Sequence, residues 1–135
     1  MEPRANYFDE APKLQQMPGA SESSATFVIA NEDHTLGNAL RYVLMRDPST
    51  TFCGYSMPHP SEPLVNLRLQ TNGAPADDVL RAGLNTLIDM CTHIGEKIDA
   101  ARVVEGEEAP SVAKVVAKGA GEAAKKKAAE AAAKK

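Results

Sequence analysis

The sequence predicts a small domain in which short β-strands are combined with two helices. One segment alternates apolar and polar residues, as a half-buried strand does, and two others space their apolar residues at helical intervals. The chain has 135 residues. Because domains typically contain about 100–150 residues, one small domain is the most that it can form.

The strand signals lie in three segments. ATFVIANE (25–32) is β-branched and aromatic before it turns polar, and TTFCGYSMPHP (50–60) is a short strand that its prolines end. PLVNLRLQT (63–71) alternates cleanly, which predicts an antiparallel strand with one buried face, and the preceding SEP predicts a hairpin. The residues expected on the buried face are Val65, Leu67 and Leu69.

The first helix is predicted in DHTLGNALRYVLMRDP (33–48), where Pro48 and the turn around it end the helix. Asp33 or Thr35 can cap its N-terminus. Since successive helical residues are about 100° apart, the helix has two organised faces. The apolar face contains Leu36, Ala39, Leu40, Val43 and Leu44, and the opposite face contains Asn38, Arg41 and Met45.

The pair Gly37–Asn38 is unusual in the first turn of a helix, because both residues are poor helix formers. One interpretation is that the pair simply frays the helix start. The other is that Gly37 allows a close backbone approach while Asn38 belongs to a functional face. The chemistry of the residues favours neither interpretation.

The second helix is predicted from about Ala76 to Val104, roughly 40 Å at 1.5 Å per residue. Its apolar residues could complete a core within the chain. However, their 3–4 spacing is the heptad pattern of a coiled coil, and a helix this long overhangs a small sheet. We therefore favour a partner helix for this seam, which consists of Leu80, Leu84, Leu87, Cys91, Ile94 and Ile98, with Ile88 widening it.

The ends of the chain differ in composition from residues 25–104. Residues 1–24 are rich in Pro, Gly and Ser, and 105–135 form an Ala/Lys-rich, low-complexity tail that we expect to be disordered or weakly helical.

The net charge of −3 does not indicate a basic surface that would bind nucleic acid, and no apolar run is long enough to cross a membrane. With two distant cysteines and no signal-peptide pattern, we expect a reducing compartment.

Catalytic, metal and nucleic-acid signals are weak. Asp33–His34 or Cys53–His59 could form an acid–base or nucleophile–base pair, but no phosphate-binding loop or nucleophile elbow accompanies them. Lysines in the tail lack interleaved aromatic residues for base stacking. We therefore expect no catalytic residue, no cofactor and no metal. Five possible ligands show no metal-binding spacing: His34, His59, His93, Cys53 and Cys91.

Two longer motifs resemble the small α-like subunit of nuclear RNA polymerases. They are EDHTLGNALRYVLMRDP and FCGYSMPHPSEPLVNLRLQT, and the similarity continues into LRAGLNTLIDMCTHIGEKI, covering about residues 25–104. HTLGNALR is similar to the assembly motif of the whole α-like family. YVLMRDP and FCGYSMPHPSEP resemble the version shared by polymerases I and III, whereas the polymerase II version has a different sequence in these motifs.

This resemblance implies an α+β fold, a two-layer β2-α-β2-α domain with an antiparallel sheet, known as the α-like dimerisation fold. A weak strand around 13–17, within the N-terminal extension 1–24, would pair with residues 25–32. Residues 25–104 would form the polymerase α-like dimerisation domain.

The resemblance also implies a function. The chain would be a non-catalytic assembly subunit of RNA polymerases I and III, found in the nucleus including the nucleolus, for rRNA, tRNA and 5S RNA transcription. It would form a heterodimer with the larger α-like subunit. The second-largest catalytic subunit and small zinc-binding subunits would join this platform, without direct sequence-specific contact to nucleic acid. The alternatives are the equivalent polymerase II subunit and a standalone dimeric nucleic-acid-binding module.

Two sets of site residues follow from the resemblance. The heterodimer interface would use Leu36, Leu40, Val43, Leu80, Leu84, Leu87, Cys91, Ile94 and Ile98. A large polymerase subunit would dock on Gly37, Asn38, Arg41 and Met45.

Overall fold

The computed structural model describes residues 12–105 and Ser111. The expectations for most of the N-terminal extension before residue 12, and for nearly all of the tail 105–135, lie outside the described residues. Six elements follow one another, in the order β1 (Leu14–Gln16), β2 (Ser24–Ala30), α1 (His34–Leu44), β3 (Thr50–Ser56), β4 (Leu64–Thr71) and α2 (Ala76–Glu105). The α+β class with a long second helix is confirmed.

The strands form one antiparallel sheet in the order β1-β2-β4-β3. β2 pairs with β4 along its full length, from Ser24 opposite Gln70 to Ala30 opposite Leu64. β1 has only three residues and lies at one edge, where Lys13 Nζ forms a 2.5 Å ion pair with Glu32 Oε1 beyond the end of β2. The resemblance implied a strand around residues 13–17, and β1 lies within that range.

The core lies between one face of the sheet and the helices. Alternation along β4 buries Val65, Leu67 and Leu69 completely, as the sequence predicts. Because β2 and β4 are the central strands, each has a neighbouring strand on both sides, and their inward side chains lie in the middle of the sheet face. The other buried apolar residues of this cluster include Phe27 and Ile29 from β2, Leu40 and Leu44 from α1, and Ala76, Val79 and Leu80 from α2.

Helix α1 begins where the sequence predicts and ends earlier. Asp33 is the N-cap, because its Oδ1 accepts a 2.8 Å hydrogen bond from the backbone N–H of Thr35. The helix ends at Leu44, well before Pro48. A turn follows instead, in which Asp47 Oδ1 accepts the backbone N–H of Ser49 at 2.8 Å.

The chain divides into two compact units at the junction of residues 87 and 88. The described part of the first unit contains the sheet, α1 and the beginning of α2. There α2 approaches α1 closely, because a Cβ at Gly83 would lie 2.5 Å from Leu44 Cδ2. In the second unit the described residues are the rest of α2 and Ser111, whose Oγ donates a 2.6 Å hydrogen bond to Asp99 Oδ2.

Candidate functional site

The apolar seam of α2 is buried at its N-terminal end and exposed farther along the helix. In the first unit, Leu80 is fully packed in the core, and Leu84 is partly buried against the same cluster. Leu87 is half-buried. In the second unit, Cys91, Ile94 and Ile98 are all exposed.

Two further exposed apolar residues extend this exposed part of the seam. Ile88 and Met90 both lie within the second unit and are more than two-fifths exposed, at 45% and 42%. With about 100° per residue, they and the seam residues occupy an arc of about 160° on the helix. We call this surface the α2 apolar face: Ile88, Met90, Cys91, Ile94 and Ile98.

Part of the sequence-based interface set needs correction. Leu40, Val43 and Leu80 lie in this chain's own core and present almost no surface to a partner. Leu36 packs against the same core and is only partly buried. Helical spacing identifies an apolar face, but it does not distinguish a face that the chain's own sheet covers from one that another chain covers.

The opposite face of α1 is exposed, as its sequence predicts. Asn38 and Arg41 are exposed, and Met45 is 42% exposed. Met45 is not wholly free, because its Sδ accepts the backbone N–H of Cys53 at 3.2 Å. The structure therefore brings these three residues together on one surface of the first unit.

Gly37 differs from the other three residues of the predicted docking set. It is buried, and a Cβ added to it would lie 2.8 Å from the Tyr55 ring atoms Cδ2 and Cε2. Of the two interpretations that the sequence leaves open at Gly37, the structure shows the close approach, and an aromatic ring of this chain makes it. The same ring carries the hydroxyl that lies 3.0 Å from His34 Nδ1, so Tyr55 holds the first turn of α1 onto β3.

Sequence reasoning missed Tyr42 and Arg46, which are also exposed on α1. Arg46 Nη1 donates to the Tyr42 hydroxyl, and its Cζ lies 5.1 Å from the Tyr42 ring centroid. This i,i+4 spacing of a cation and an aromatic residue was the available signal. Tyr42 lies one turn after Asn38, so it widens the exposed face of α1.

The residues that could have formed a catalytic pair have other contacts. Asp33 caps α1 and His34 lies against Tyr55, as described above. His59 Nδ1 accepts the backbone N–H of Ser61 at 3.1 Å. Burial raises the pKa of the Cys53 thiol to about 11, with a smaller opposing effect of Arg41, so the thiol stays protonated near neutral pH.

The described residues contain neither a metal-binding cluster nor a membrane-spanning helix. Within residues 12–105 and Ser111, no three His, Cys, Asp or Glu side chains are grouped so as to hold a metal ion. In the same part of the chain, no helix has both the length and the apolarity to span a membrane. In the described part of the chain, the α2 apolar face and the exposed face of α1 are two candidate contact surfaces.

Comparison with known proteins identifies the class. Residues 24–97 match the family described as the RNA polymerase Rpb3/Rpb11 dimerisation domain. The chain therefore belongs to this family.

Its relatives share a more specific name. The zebrafish (Danio rerio) "DNA-directed RNA polymerases I and III subunit RPAC2" is 48% identical over 89 residues, covering 65% of this chain and 80% of that protein. The protein with the same name in Schizosaccharomyces pombe is 54% identical over 88 residues, covering 63% and 70%. The resemblance to the version shared by polymerases I and III is thus confirmed.

A solved structure shows the same fold. The DNA-directed RNA polymerase subunit L of Thermoplasma acidophilum aligns with a TM-score of 0.60 at 15% identity, covering 72% of this chain and 96% of that one. At this identity the similarity shows the fold alone, and it confirms the α-like arrangement of sheet and helices.

Proposed function

We infer that the chain is a non-catalytic assembly subunit of RNA polymerases I and III that pairs with the larger α-like subunit. The family match to a dimerisation domain supports pairing, and the names of the relatives support these two polymerases. The observation that carries the inference is the α2 apolar face, since four of its large side chains are between 42% and 55% exposed.

Leaving the α2 apolar face in contact with water costs free energy. Fully burying one large aliphatic side chain is worth about 1.5–3 kcal/mol, so covering several of them can stabilise a complex substantially. The residues that cover such an arc most readily are the apolar residues of a second helix, which pack at similar 3–4 intervals. We therefore assign the face to a helix of the larger α-like subunit.

The exposed face of α1 is the second proposed contact. Asn38, Arg41 and Met45, with Tyr42 beside them, offer an amide, a guanidinium and two large side chains on one surface. Arg and Tyr are enriched among the residues that dominate binding energy at interfaces. We assign this surface to the second-largest catalytic subunit. The zinc-binding small subunits complete the proposed set of partners, in the nucleus and nucleolus.

The test of pairing uses two substitutions on adjacent residues of α2. Ile94→Asp places a carboxylate in the α2 apolar face, whereas His93→Asp places the same charge on an exposed residue outside that arc. A carboxylate buried without a partner costs several kcal/mol. Ile94→Asp should therefore abolish co-purification with the larger α-like subunit, and His93→Asp should not.

The outcome separates the possible functions. Purification of the unaltered chain should recover the largest subunits of both polymerase I and polymerase III. Recovery of the polymerase II largest subunit in their place would support the alternative subunit identity. If Ile94→Asp pairs as well as His93→Asp, the α2 apolar face is not the interface and the pairing model is wrong.

A further inference from the structure

The sheet face that points away from the core belongs to neither proposed interface. Strands alternate their side chains, so residues between the buried ones of β2 and β4 lie on this outer face. A hollow of about 400 Å³ lies there, within the first unit. Residues that line it include Thr26, Phe52, Gly54, Asn66 and Arg68.

Arg68 brings a positive charge to this hollow. Its Nη1 donates to Thr26 Oγ1 at 3.1 Å and its Nη2 donates to Ser24 Oγ at 2.5 Å. Both acceptors are neutral hydroxyls, and no carboxylate in the described part of the chain forms an ion pair with Arg68. These two hydrogen bonds hold the Arg68 side chain in place. A guanidinium has more N–H donors than the two bonds use, so the remaining donors can still bind an anion.

Phe52 brings an exposed apolar surface to the same hollow. Its side chain is 48% exposed, although it lies on a strand within the folded sheet. A Cβ at Gly54 would lie 3.0 Å from Phe52 Cζ, so the ring lies against the backbone of Gly54. The register places Gly54 opposite Arg68 and Phe52 opposite Gln70, which brings the ring and the guanidinium onto neighbouring strands.

We propose that this hollow binds an extended acidic segment of a partner polypeptide, whose carboxylate pairs with Arg68 and whose adjacent apolar side chain packs on Phe52. Charge complementarity is the argument, because Arg68 is the charged residue that lines the hollow and it has no counter-ion among the described residues. Bidentate pairing with a carboxylate is the geometry that a guanidinium favours.

A nucleic acid fits the same features less well. Binding to a phosphate backbone gains its strength from several cations along the strand, whereas Arg68 is the single cation among the described residues that line this hollow. Base stacking needs successive aromatic platforms, and the hollow has Phe52 and the mostly inward Tyr55. A single carboxylate beside an apolar side chain could pair with the Arg68 guanidinium and pack on the Phe52 ring at the same time.

The test is photo-crosslinking within the purified polymerase. Phe52→p-benzoylphenylalanine places the crosslinker in the hollow, and the same substitution at the exposed loop residue Ser61 is the control. We expect a crosslink at position 52 to one polymerase subunit, in a peptide with an Asp or Glu next to the linked residue. Adding Arg68→Gln should reduce its yield about tenfold, and Arg68→Lys should reduce it less.

Three results would overturn the proposal: a yield no higher than at Ser61, a crosslink to nucleic acid, or a yield that Arg68→Gln leaves unchanged in an assembled complex. The assay rests on the proposed function, because the partner is sought in the polymerase. Failure of that function would appear separately, as a chain that purifies without polymerase subunits.

Discussion

Leu80 and Ile94 are two heptads apart in the same apolar seam, yet the structure uses them differently. Leu80 is 3% exposed, in the core of the first unit, and Ile94 is 55% exposed, in the second unit. One seam therefore stabilises the chain's own fold at one end and is available to another chain at the other. A periodic pattern therefore indicates which residues share a face of the helix, and it does not distinguish a part of that face buried in the chain's own core from a part left exposed.

The largest effect expected on the chain's own stability is at the buried end of this seam. Leu80→Ala should lower the free energy of unfolding by about 2–5 kcal/mol, since it leaves a cavity in the core. Ile94→Ala should change it by about 0.5 kcal/mol or less, because the side chain is exposed. Urea denaturation of the two purified variants measures both values. Equal losses would show that the two ends of α2 are packed alike.

Gly37 and Asn38 are neighbours on α1 that also differ in burial, since Gly37 is buried and Asn38 is exposed. Gly37→Ala should cost about 1–3 kcal/mol, because its Cβ would lie 2.8 Å from Cδ2 and Cε2 of the Tyr55 ring. Asn38→Ala or Arg41→Ala should leave the melting temperature and the heterodimer unchanged and should weaken incorporation into the large complex.

The control for Gly37 is the double substitution Gly37→Ala with Tyr55→Leu, compared with Tyr55→Leu alone. Removing the ring should remove most of the penalty of the new Cβ. A full penalty in the absence of the ring would mean that another constraint fixes glycine at this position. Normal assembly of both Asn38→Ala and Arg41→Ala would show that their face binds no polymerase subunit.

The reactivity of the two cysteines can be used to compare the exposure of the two units in the unaltered chain. Cys53 is buried and Cys91 is exposed. Because the pKa of Cys53 is raised from 9.0 to about 11, its thiolate fraction near neutral pH is lower by a factor on the order of 100. Iodoacetamide should therefore modify Cys91 first, as peptide mass spectrometry would show, and heterodimer formation should protect Cys91. Unprotected Cys91 in the heterodimer would argue against the α2 apolar face.

The same pKa shift predicts a pH dependence of stability. The thiol ionises near pH 9.0 in the unfolded chain and near 11 in the folded chain, so unfolding loses protons between these values. The contribution of Cys53 is fully present below pH 9.0 and decreases as the pH rises towards 11. Cys53→Ala should flatten this part of the profile in thermal melts.

The smallest effect is expected from the tail. Deleting residues 119–135 should change the stability of the heterodimer by no more than about 0.5 kcal/mol, since this segment has no large apolar residue. Thermal unfolding of the shortened and full-length heterodimers measures the difference. A large drop in melting temperature would mean that the tail is bound to the folded part, contrary to the expectation from its composition.

The sequence by itself determined the elements. Period-two alternation specified β4 and its buried residues, because side chains two positions apart on a strand lie on the same face, as Val65, Leu67 and Leu69 do. A capping residue and helical spacing specified the start of α1, and the heptad seam specified α2 to within one residue of its C-terminal end. The family motifs added the topology, which periodicity alone does not give. They also pointed to β1, whose residues alternate too weakly to be identified unaided.

The tertiary structure alone decided how each apolar or small residue is used. It placed Leu40 and Leu80 in the chain's own core, packed Gly37 under Tyr55 and left Phe52 exposed beside Arg68. These outcomes depend on contacts between residues far apart in the sequence, such as position 37 with 55 and position 68 with 26. Periodicity reports the direction of a side chain relative to its own helix or strand. Which neighbour fills the space in that direction is fixed only when the elements pack.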